Sequence, residues 1–196
     1  MWNYVTPGIP DEMFERLPGI PLSKKETRLL IISLLRLKSD SLLWDIGAGT
    51  GTIPIECGLI CPKGKIIAVE RDEDVAKLIK RNSDRFGVSN IEVIEGNAPD
   101  CIKDLPMKPD RVCIEGGKVI KEILSEVWKY LEKEGRIVIT AVNLETLYAI
   151  SESLAQLQAR NIEVVQSAVN RLEKRGNNQV FAGVDPIFII SGEKID

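Results

Sequence analysis

The chain has 196 residues, 44% of them hydrophobic, which is the size and composition of one soluble globular domain with a full core. Its 26 basic and 29 acidic residues give a net charge of −3, a balance that argues against nucleic acid as a partner. No apolar run approaches the roughly 20 residues of a membrane span, and residues 1–4 lack the pattern of a signal peptide. We therefore expect a cytoplasmic protein with no membrane contact.

The chain has no histidine, and its four cysteines lack the paired spacing of a metal site. We expect no bound metal and reduced, buried thiols at Cys57, Cys61, Cys101 and Cys113. Without histidine, any acid–base step must use carboxylates, lysine, tyrosine, cysteine or the substrate itself.

Proline and glycine punctuate residues 6–22, so this segment is not expected to form regular structure. Because it also carries apolar residues, we predict that residues 1–22 form a strap packed on the surface. The functional alternative is that this segment forms a flap over the opening of a ligand-binding site. Residues 23–196 are predicted to form a single domain, which starts with a helix whose capping box runs from Ser23 to Glu26.

Strand and helix patterns alternate after residue 40, which predicts a mostly parallel sheet with helices on both faces. The first five predicted strands are residues 41–46, 65–69, 91–95, 110–114 and 135–142. The helices that follow these strands are predicted at 50–60, 73–86, 119–131 and 143–159. The last two strands, 163–169 and 186–192, have a loop and no helix between them, which indicates an antiparallel pair at the end of the sheet.

The glycine turn from Gly47 to Gly51 follows an apolar strand that contains Asp45. Alternate glycines allow positive φ and leave no Cβ between the turn and a ligand. The next helix points its free N–H groups and its positive end at this turn. The fingerprint of NAD-binding proteins would require glycine at Thr52. The pattern Asp-x-Gly-x-Gly-x-Gly instead resembles motif I of the class I S-adenosylmethionine-dependent methyltransferases.

Two further strand ends extend the predicted nucleoside site. Glu70 lies about 20 positions after the turn, where an acidic residue accepts hydrogen bonds from both ribose hydroxyls. Asn97 and Ala98 follow the third strand, whose end lies beside the adenine in this class of enzymes; Asn97 stands where aspartate is usual. Each residue alone is equally typical of a solvated strand end, but their succession indicates a nucleoside site.

Over nearly its whole length, the chain resembles the decarboxylating precorrin and cobalt-precorrin C(15)-methyltransferase family of cobalamin biosynthesis. Residues 7–14, 19–28 and 141–146 match stretches specific to that family, whereas 43–51 and 185–189 fit many class I methyltransferases. The resemblance implies a Rossmann-like α/β fold, with a seven-stranded, mostly parallel sheet whose last strand is antiparallel. It also implies S-adenosylmethionine as cofactor, and methylation of carbon 15 of a corrin precursor with decarboxylation of the ring C acetate.

The resemblance also assigns residues to the site. The predicted cofactor residues are Ser23, Asp45, Gly47, Ala48, Gly49, Thr50, Gly51, Glu70, Asn97 and Ala98. Cations are expected to anchor the peripheral carboxylates of the tetrapyrrole, and each candidate alone fits a solvated surface charge at least as well. The candidates are Lys24, Lys25, Arg28, Arg171, Lys174 and Arg175. The pair Gly116–Gly117, where the family usually has Gly-Gly-Ser/Thr-Gly-Gly, is also predicted to contact the substrate.

No residue is assigned to catalysis. Asn143 and Glu145, at the carboxyl end of the fifth strand, are the candidates, and helix capping explains both equally well.

Two alternatives to this function remain open. One is an RNA methyltransferase on the same fold, which is favoured if the strap and residues 171–175 form one basic patch. The other is a non-catalytic cofactor-binding subunit. The resemblance further implies a homo-oligomer, with a tetramer expected, and a separate partner methyltransferase of the same pathway.

Overall fold

The computed structural model of the protein describes residues 2–117 and 119–195. Its helices are α1 (Lys25–Leu35), α2 (Thr52–Ile60), α3 (Glu73–Phe86), α4 (Ile120–Tyr130) and α5 (Leu144–Gln156). Its strands are β1 (Leu42–Ile46), β2 (Lys65–Glu70), β3 (Ile91–Glu95), β4 (Arg111–Glu115), β5 (Arg136–Ala141), β6 (Arg160–Ser167), β7 (Asn170–Arg175), β8 (Asn178–Gly183) and β9 (Ile187–Glu193).

Seven strands form the central sheet, in the order β3-β2-β1-β4-β5-β9-β6. Neighbours from β3 to β5 are parallel, whereas β9 runs antiparallel to both β5 and β6. The predicted fold class, a Rossmann-like α/β sheet with an antiparallel last strand, is confirmed. Asp45 is in register with Ala68 of β2 and Cys113 of β4, so the carboxyl ends of these three strands meet at one edge.

The sheet is covered by helices on both faces, and its central strands are buried on both sides, as parallel strands generally are. On one face, α4 and α5 pack against Trp44 and Ile139. On the other face, α1 and α2 pack against Leu43 and Val138, with α3 beside them against β2 and β3. None of the helices in residues 2–117 and 119–195 is long and apolar enough to cross a membrane.

Helix α3 begins and ends where the sequence predicts. The carboxylate of Asp72 accepts hydrogen bonds from the N–H groups of Asp74 and Val75, which satisfies two free donors of the first turn. Gly87 ends the helix with a left-handed φ of 69°.

Two local predictions are wrong. The capping box at Ser23–Glu26 does not form: Lys24 occupies the N-cap of α1 without a side-chain cap, and the Ser23 hydroxyl turns to Glu115. The expected loop before the last strand contains a hairpin of β7 and β8, which turns at Gly176. Charged side chains dominate β7, so the apolar alternation that indicates a strand is weak there.

The N-terminal segment, residues 2–22, is tied to the helices by a buried cation. The Arg28 side chain is fully buried and donates to Glu56 at 2.8 Å, to Asp11 at 2.7 Å and to the carbonyl oxygen of Ile9. Glu56 is 1% exposed at its side chain and also accepts from the N–H of Ile9. We call Arg28, Asp11 and Glu56 the Arg28 cluster. Because buried charges are costly unless paired, this cluster determines where the segment lies.

Apolar contacts reinforce the same arrangement. Ile9, Phe14 and Leu22 are buried against Ile55 of α2 and Phe86 of α3. Burial of the Asp11 carboxyl opposes its ionisation, but hydrogen bonds from Arg28 and Arg171 outweigh this and hold its pKa below the usual range.

We expect Glu56→Gln to lower the free energy of unfolding by about 3 kcal/mol, because it leaves Asp11 as the one carboxylate bound to the buried guanidinium among the described residues. Denaturant unfolding at neutral pH measures this loss. The matched control is Glu92→Gln, which removes an exposed pair with Lys65 at 3.2 Å and should cost less than about 1 kcal/mol. Equal losses in the two variants would contradict the importance of the cluster.

Candidate functional site

A crevice opens at the carboxyl edge of the sheet between β1 and β4. The chain runs from β1 outward to β2 and β3 and then returns to β4 on the other side, and open α/β sheets bind ligands at such a reversal. The two walls lie close together, since a Cβ on Gly47 would stand 3.2 Å from the carbonyl oxygen of Glu115.

The glycine turn forms the floor of the crevice. Gly47, Gly49 and Gly51 have φ values of 80°, 52° and 84°, in the left-handed region that favours glycine. The N–H groups of Gly47 and Ala48 donate to the carbonyl oxygen of Val69 at 3.0 and 3.1 Å, which fixes the turn against β2. Gly47 is exposed and Gly49 partly exposed, so these two glycines present backbone to a ligand, whereas Gly51 is buried against Ile79.

Glu70 faces the turn from the end of β2. Its carboxylate accepts from the N–H of Gly49 at 3.0 Å and from the N–H groups of Arg71 and Asp72. Asn97 and Ala98 lie next to it, since the N–H of the preceding Gly96 donates to the carbonyl oxygen of Glu70 at 2.9 Å. The side chain of Asn97 is exposed. The structure thus brings the predicted ribose and adenine residues together at adjacent strand ends.

The N-terminal segment covers the other side of the turn. The hydroxyl of Thr50 donates to the carbonyl oxygen of Pro21 at 3.0 Å, and a Cβ on Gly49 would stand 3.6 Å from the same oxygen. The hydroxyl of Ser23 donates to the carboxylate of Glu115 across the crevice. Ser23 is therefore brought to the predicted site, in contact with Glu115.

Two carboxyl groups of the crevice have perturbed ionisation. Asp45 is fully buried, and neither oxygen has a nitrogen or oxygen partner in the described residues. Burial, and then the neighbouring Glu115, raise the pKa of Asp45 well above its usual range, which the thiol of Cys113 offsets only in part. Burial raises the pKa of Glu115 to about 7, against the lowering effects of the Ser23 hydroxyl and of Arg28.

Sequence reasoning missed Glu115. The signal was available, because an acidic residue ends the strand that flanks the glycine turn, as Glu70 does on the opposite side. Within the part of the chain that the structure describes, no group of three or more acidic, cysteine or histidine side chains could hold a metal ion. Three of the four free cysteines are buried as expected, whereas Cys101 is partly exposed.

Arg28 requires a correction. The sequence placed it among cations for the substrate, but its side chain is 0% exposed and its donors are held by the Arg28 cluster and by backbone carbonyls. The buried guanidinium instead holds the N-terminal segment against α2.

The other predicted substrate residues lie around the crevice and the hairpin. Gly116 and Gly117 follow Glu115 with φ values of 75° and 133°. Arg171 of β7 donates to Asp11 at 3.0 Å and to Glu26, and its side chain is 34% exposed. It lines a cavity of about 350 Å³ beside the N-terminal segment. Arg175 is exposed and pairs with Glu173 on the hairpin.

Lys24 and Lys25 lie at the start of α1, directly after Ser23. The exposed residues Asn143 and Glu145 are at the start of α5, where the Asn143 side chain accepts from the N–H of Thr146 at 2.8 Å. Asn143 therefore serves as a helix cap, whatever further role it has.

Comparison with known proteins gives a family. A model of the precorrin methyltransferase domain matches residues 13–194. The chain is 40% identical over 196 residues, 98% of both chains, to a "probable cobalt-precorrin-6B C(15)-methyltransferase (decarboxylating)" of Saccharolobus solfataricus. Among solved structures, a precorrin-6Y C5,15-methyltransferase of Geobacter metallireducens is 35% identical, with a TM-score of 0.89 and coverage of 96% of this chain and 97% of that one. A precorrin-8W decarboxylase of Methanobacterium thermoautotrophicum is 26% identical, with a TM-score of 0.86 and coverage of 94% and 98%.

The turn itself can be tested by two alanine substitutions. Gly51→Ala should lower the free energy of unfolding by about 3 kcal/mol, because it combines positive φ with a Cβ only 3.0 Å from Ile79. Gly49→Ala should lower it by only about 1 kcal/mol, from the positive φ alone, because the atom nearest to its added Cβ is 3.6 Å away. Denaturant unfolding compares the two, and a larger loss for Gly49→Ala would contradict this packing.

Proposed function

The chain belongs to the precorrin methyltransferase domain family, and on this premise we propose that it is an S-adenosylmethionine-dependent methyltransferase of cobalamin biosynthesis. It methylates carbon 15 of a precorrin or cobalt-precorrin and decarboxylates the acetate side chain of ring C, which loses carbon dioxide and keeps its methylene carbon as a methyl group. The observation that carries this proposal is the 40% identity, over the full chain, to the decarboxylating relative. The crevice between β1 and β4 supports it, since its residues fit a nucleoside.

We assign the cofactor to this crevice. The turn from Gly47 to Gly51 receives it, Glu70 accepts from the ribose hydroxyls, and Asn97 and Ala98 border the adenine. The left-handed glycines and the open backbone support this assignment. Asp45 lies buried beneath the turn, so its effect on the cofactor is electrostatic.

When bound, S-adenosylmethionine supplies a strongly electrophilic methyl group. The task of the protein is to hold the acceptor carbon in line with that methyl group at contact distance. We assign the substrate to the open side of the crevice, next to Gly116 and Gly117. A Cβ on Gly116 would meet no atom within 4 Å, so its absence leaves room for a flat ring system, whereas a Cβ on Gly117 would point to Ile123 at 3.3 Å. Lys24 and Lys25 are the proposed anchors for peripheral carboxylates, with Arg171 at the adjoining cavity.

An RNA substrate is the weaker candidate. It requires a continuous basic surface on the N-terminal segment and residues 171–175, but Arg171 is paired with Asp11 and Glu26, and Arg175 with Glu173. A tRNA methyltransferase of Aquifex aeolicus shares the fold at 17% identity, which says nothing about substrate. A non-catalytic cofactor-binding subunit is the other alternative.

The remaining expectations follow from the family. We propose a homotetramer, a cytoplasmic location and a separate partner methyltransferase of the same pathway. We also retain the division of the chain into a strap, residues 1–22, and one domain, residues 23–196. The contacts of the Arg28 cluster support a strap that covers the cofactor crevice as well as packing on the surface.

The decisive assay incubates the protein with methyl-labelled S-adenosylmethionine and an enzymatically prepared precorrin pool, and reads tetrapyrrole masses. We expect one label in the macrocycle together with loss of carbon dioxide. Gly49→Ala should lose at least about tenfold in cofactor affinity, because alanine disfavours the φ of 52° on which the shape of the turn depends, and its Cβ would lie between the turn and the carbonyl oxygen of Pro21. Glu73→Gln, an exposed partner of Lys77 on α3, serves as the control and should behave as wild type.

The other outcomes are equally informative. Label without loss of carbon dioxide would limit the protein to methyl transfer. Cofactor binding with no label in any tetrapyrrole would contradict the proposed substrate, and tRNA would be the next acceptor to test.

A further inference from the structure

Three carboxyl groups converge on the crevice from the ends of neighbouring strands: Asp45 of β1, Glu70 of β2 and Glu115 of β4. Glu70 is satisfied by three backbone N–H groups. Asp45 is fully buried and, among the described residues, without a nitrogen or oxygen partner. The carboxylate of Glu115 accepts from the hydroxyl of Ser23. Hydrogen bonds from the protein therefore stabilise the negative charge of Glu70 more than that of Glu115, and that of Asp45 least.

Within residues 2–117 and 119–195, little positive charge surrounds Glu115. Of the cations described there, Arg28 acts on it, but this guanidinium donates directly to Asp11 and Glu56. The thiols of Cys57 from α2 and Cys113 from β4 are also within electrostatic reach, and burial raises the pKa of both, so that they stay neutral. A positively charged ligand in the crevice would supply what these residues lack.

The proposed cofactor is such a ligand, and its charge changes during the reaction. The sulfonium sulfur carries a permanent positive charge, whereas the product, S-adenosylhomocysteine, is a neutral thioether. Both keep the same amino and carboxylate groups, so the sulfur alone distinguishes their charge. A carboxylate placed beside the turn responds to this difference.

We propose that Glu115 selects the sulfonium form of the cofactor over the thioether product, and that cofactor binding expels a proton from the neighbouring carboxyls of Glu115 and Asp45. This inference rests on the proposed function and deepens it. Methyl transfer forms a bond from the methyl carbon to carbon 15 of the substrate, which supplies the electron pair, and breaks the bond between that methyl carbon and sulfur. The electrons of the broken bond stay on sulfur, which becomes neutral, so the positive charge passes to the substrate. The product lacks the sulfonium that the Glu115 carboxylate favours and binds more weakly than the cofactor, and the carboxyl pair takes a proton back from solvent.

The pH dependence follows from the position of the free carboxyl. With a pKa of about 7, Glu115 in the free protein is mostly protonated at pH 6 and mostly ionised at pH 8. A sulfonium favours the ionised form, so affinity for S-adenosylmethionine must rise with pH across this window. If the carboxyl is ionised throughout in the complex, the rise is about tenfold between pH 6 and pH 8. S-adenosylhomocysteine should change by less than about twofold, because it brings no sulfonium.

Calorimetric titration of both ligands into wild type, Glu115→Gln and Glu132→Gln at pH 6 and pH 8 tests the inference. Glu115→Gln should lose the rise in affinity and bind the two ligands with more similar constants. Glu132→Gln removes the same charge from an exposed residue before β5, at the opposite edge of the sheet, and should keep the wild-type profile. Wild type alone provides an independent readout: at pH 7 it should release about half a proton with S-adenosylmethionine, measured in two buffers of different ionisation enthalpy.

Three results would overturn the inference. Parallel pH profiles for the two ligands would mean that the protein responds to groups which both share. An unchanged rise in Glu115→Gln, or no proton release by wild type if that variant does not fold, would remove Glu115 from the role. Absence of S-adenosylmethionine binding at every pH would overturn the proposed function as well, and so separates the two failures.

Discussion

The architecture of the crevice depends on the burial of one guanidinium. Arg28 lies inside the protein between the N-terminal segment and α2, where its charge is tolerated because Asp11 and Glu56 are brought to it. Asp11 also accepts from Arg171, so the hairpin of β7 and β8 is attached to the same group. Residues 21–23, which contact the glycine turn and Glu115, are positioned as a consequence. The Arg28 cluster thus positions the residues that border the crevice, although the cluster itself lies outside it.

The distribution of charge separates structural from functional groups. In the Arg28 cluster every carboxylate has a cation partner, which is how buried charges are usually stabilised. At the ends of β1 and β4, by contrast, the buried carboxyls form no salt bridge with a cation of the described residues, and the pKa values of Asp45 and Glu115 are raised. Perturbed groups of this kind concentrate at functional sites because charge is added there by a ligand. A positively charged ligand would balance these carboxyls, because Arg28, the described cation that acts on Glu115, is paired with Asp11 and Glu56.

Features with a local cause were predictable from the sequence. The glycine turn, the cap and stop of α3, and the acidic end of β2 all depend on neighbours within a few residues, and they lie where they were expected. Ser23 shows the limit of local reasoning. The sequence predicts that its hydroxyl caps α1, but in the structure the hydroxyl donates to Glu115, which is 92 residues away in the chain. The sequence offers the Ser23 hydroxyl two possible partners, the first turn of α1 and Glu115, and only the folded structure shows which of them it bonds.

Arg28 shows the same limit for charge. Beside Lys24 and Lys25 it has the appearance of a surface cation, and only the folded chain brings it to Asp11 and Glu56, which are 17 and 28 residues away. Glu115 was overlooked for a related reason, since its importance comes from the strand order that places β4 against β1. The alternation of strands and helices predicts a parallel sheet but leaves open which strand lies beside β1.

Hydrogen exchange of the N-terminal segment tests most directly whether the Arg28 cluster holds this segment over the crevice. The N–H groups of Gly8 and Ile9 donate to Glu56 and should exchange slowly in the wild-type protein. In Glu56→Gln, peptides from residues 7–23 should exchange at least about tenfold faster, while β1 and β4 keep their protection. Rapid exchange of Gly8 and Ile9 in the wild-type protein would contradict the account, because the segment would then not be anchored by the cluster.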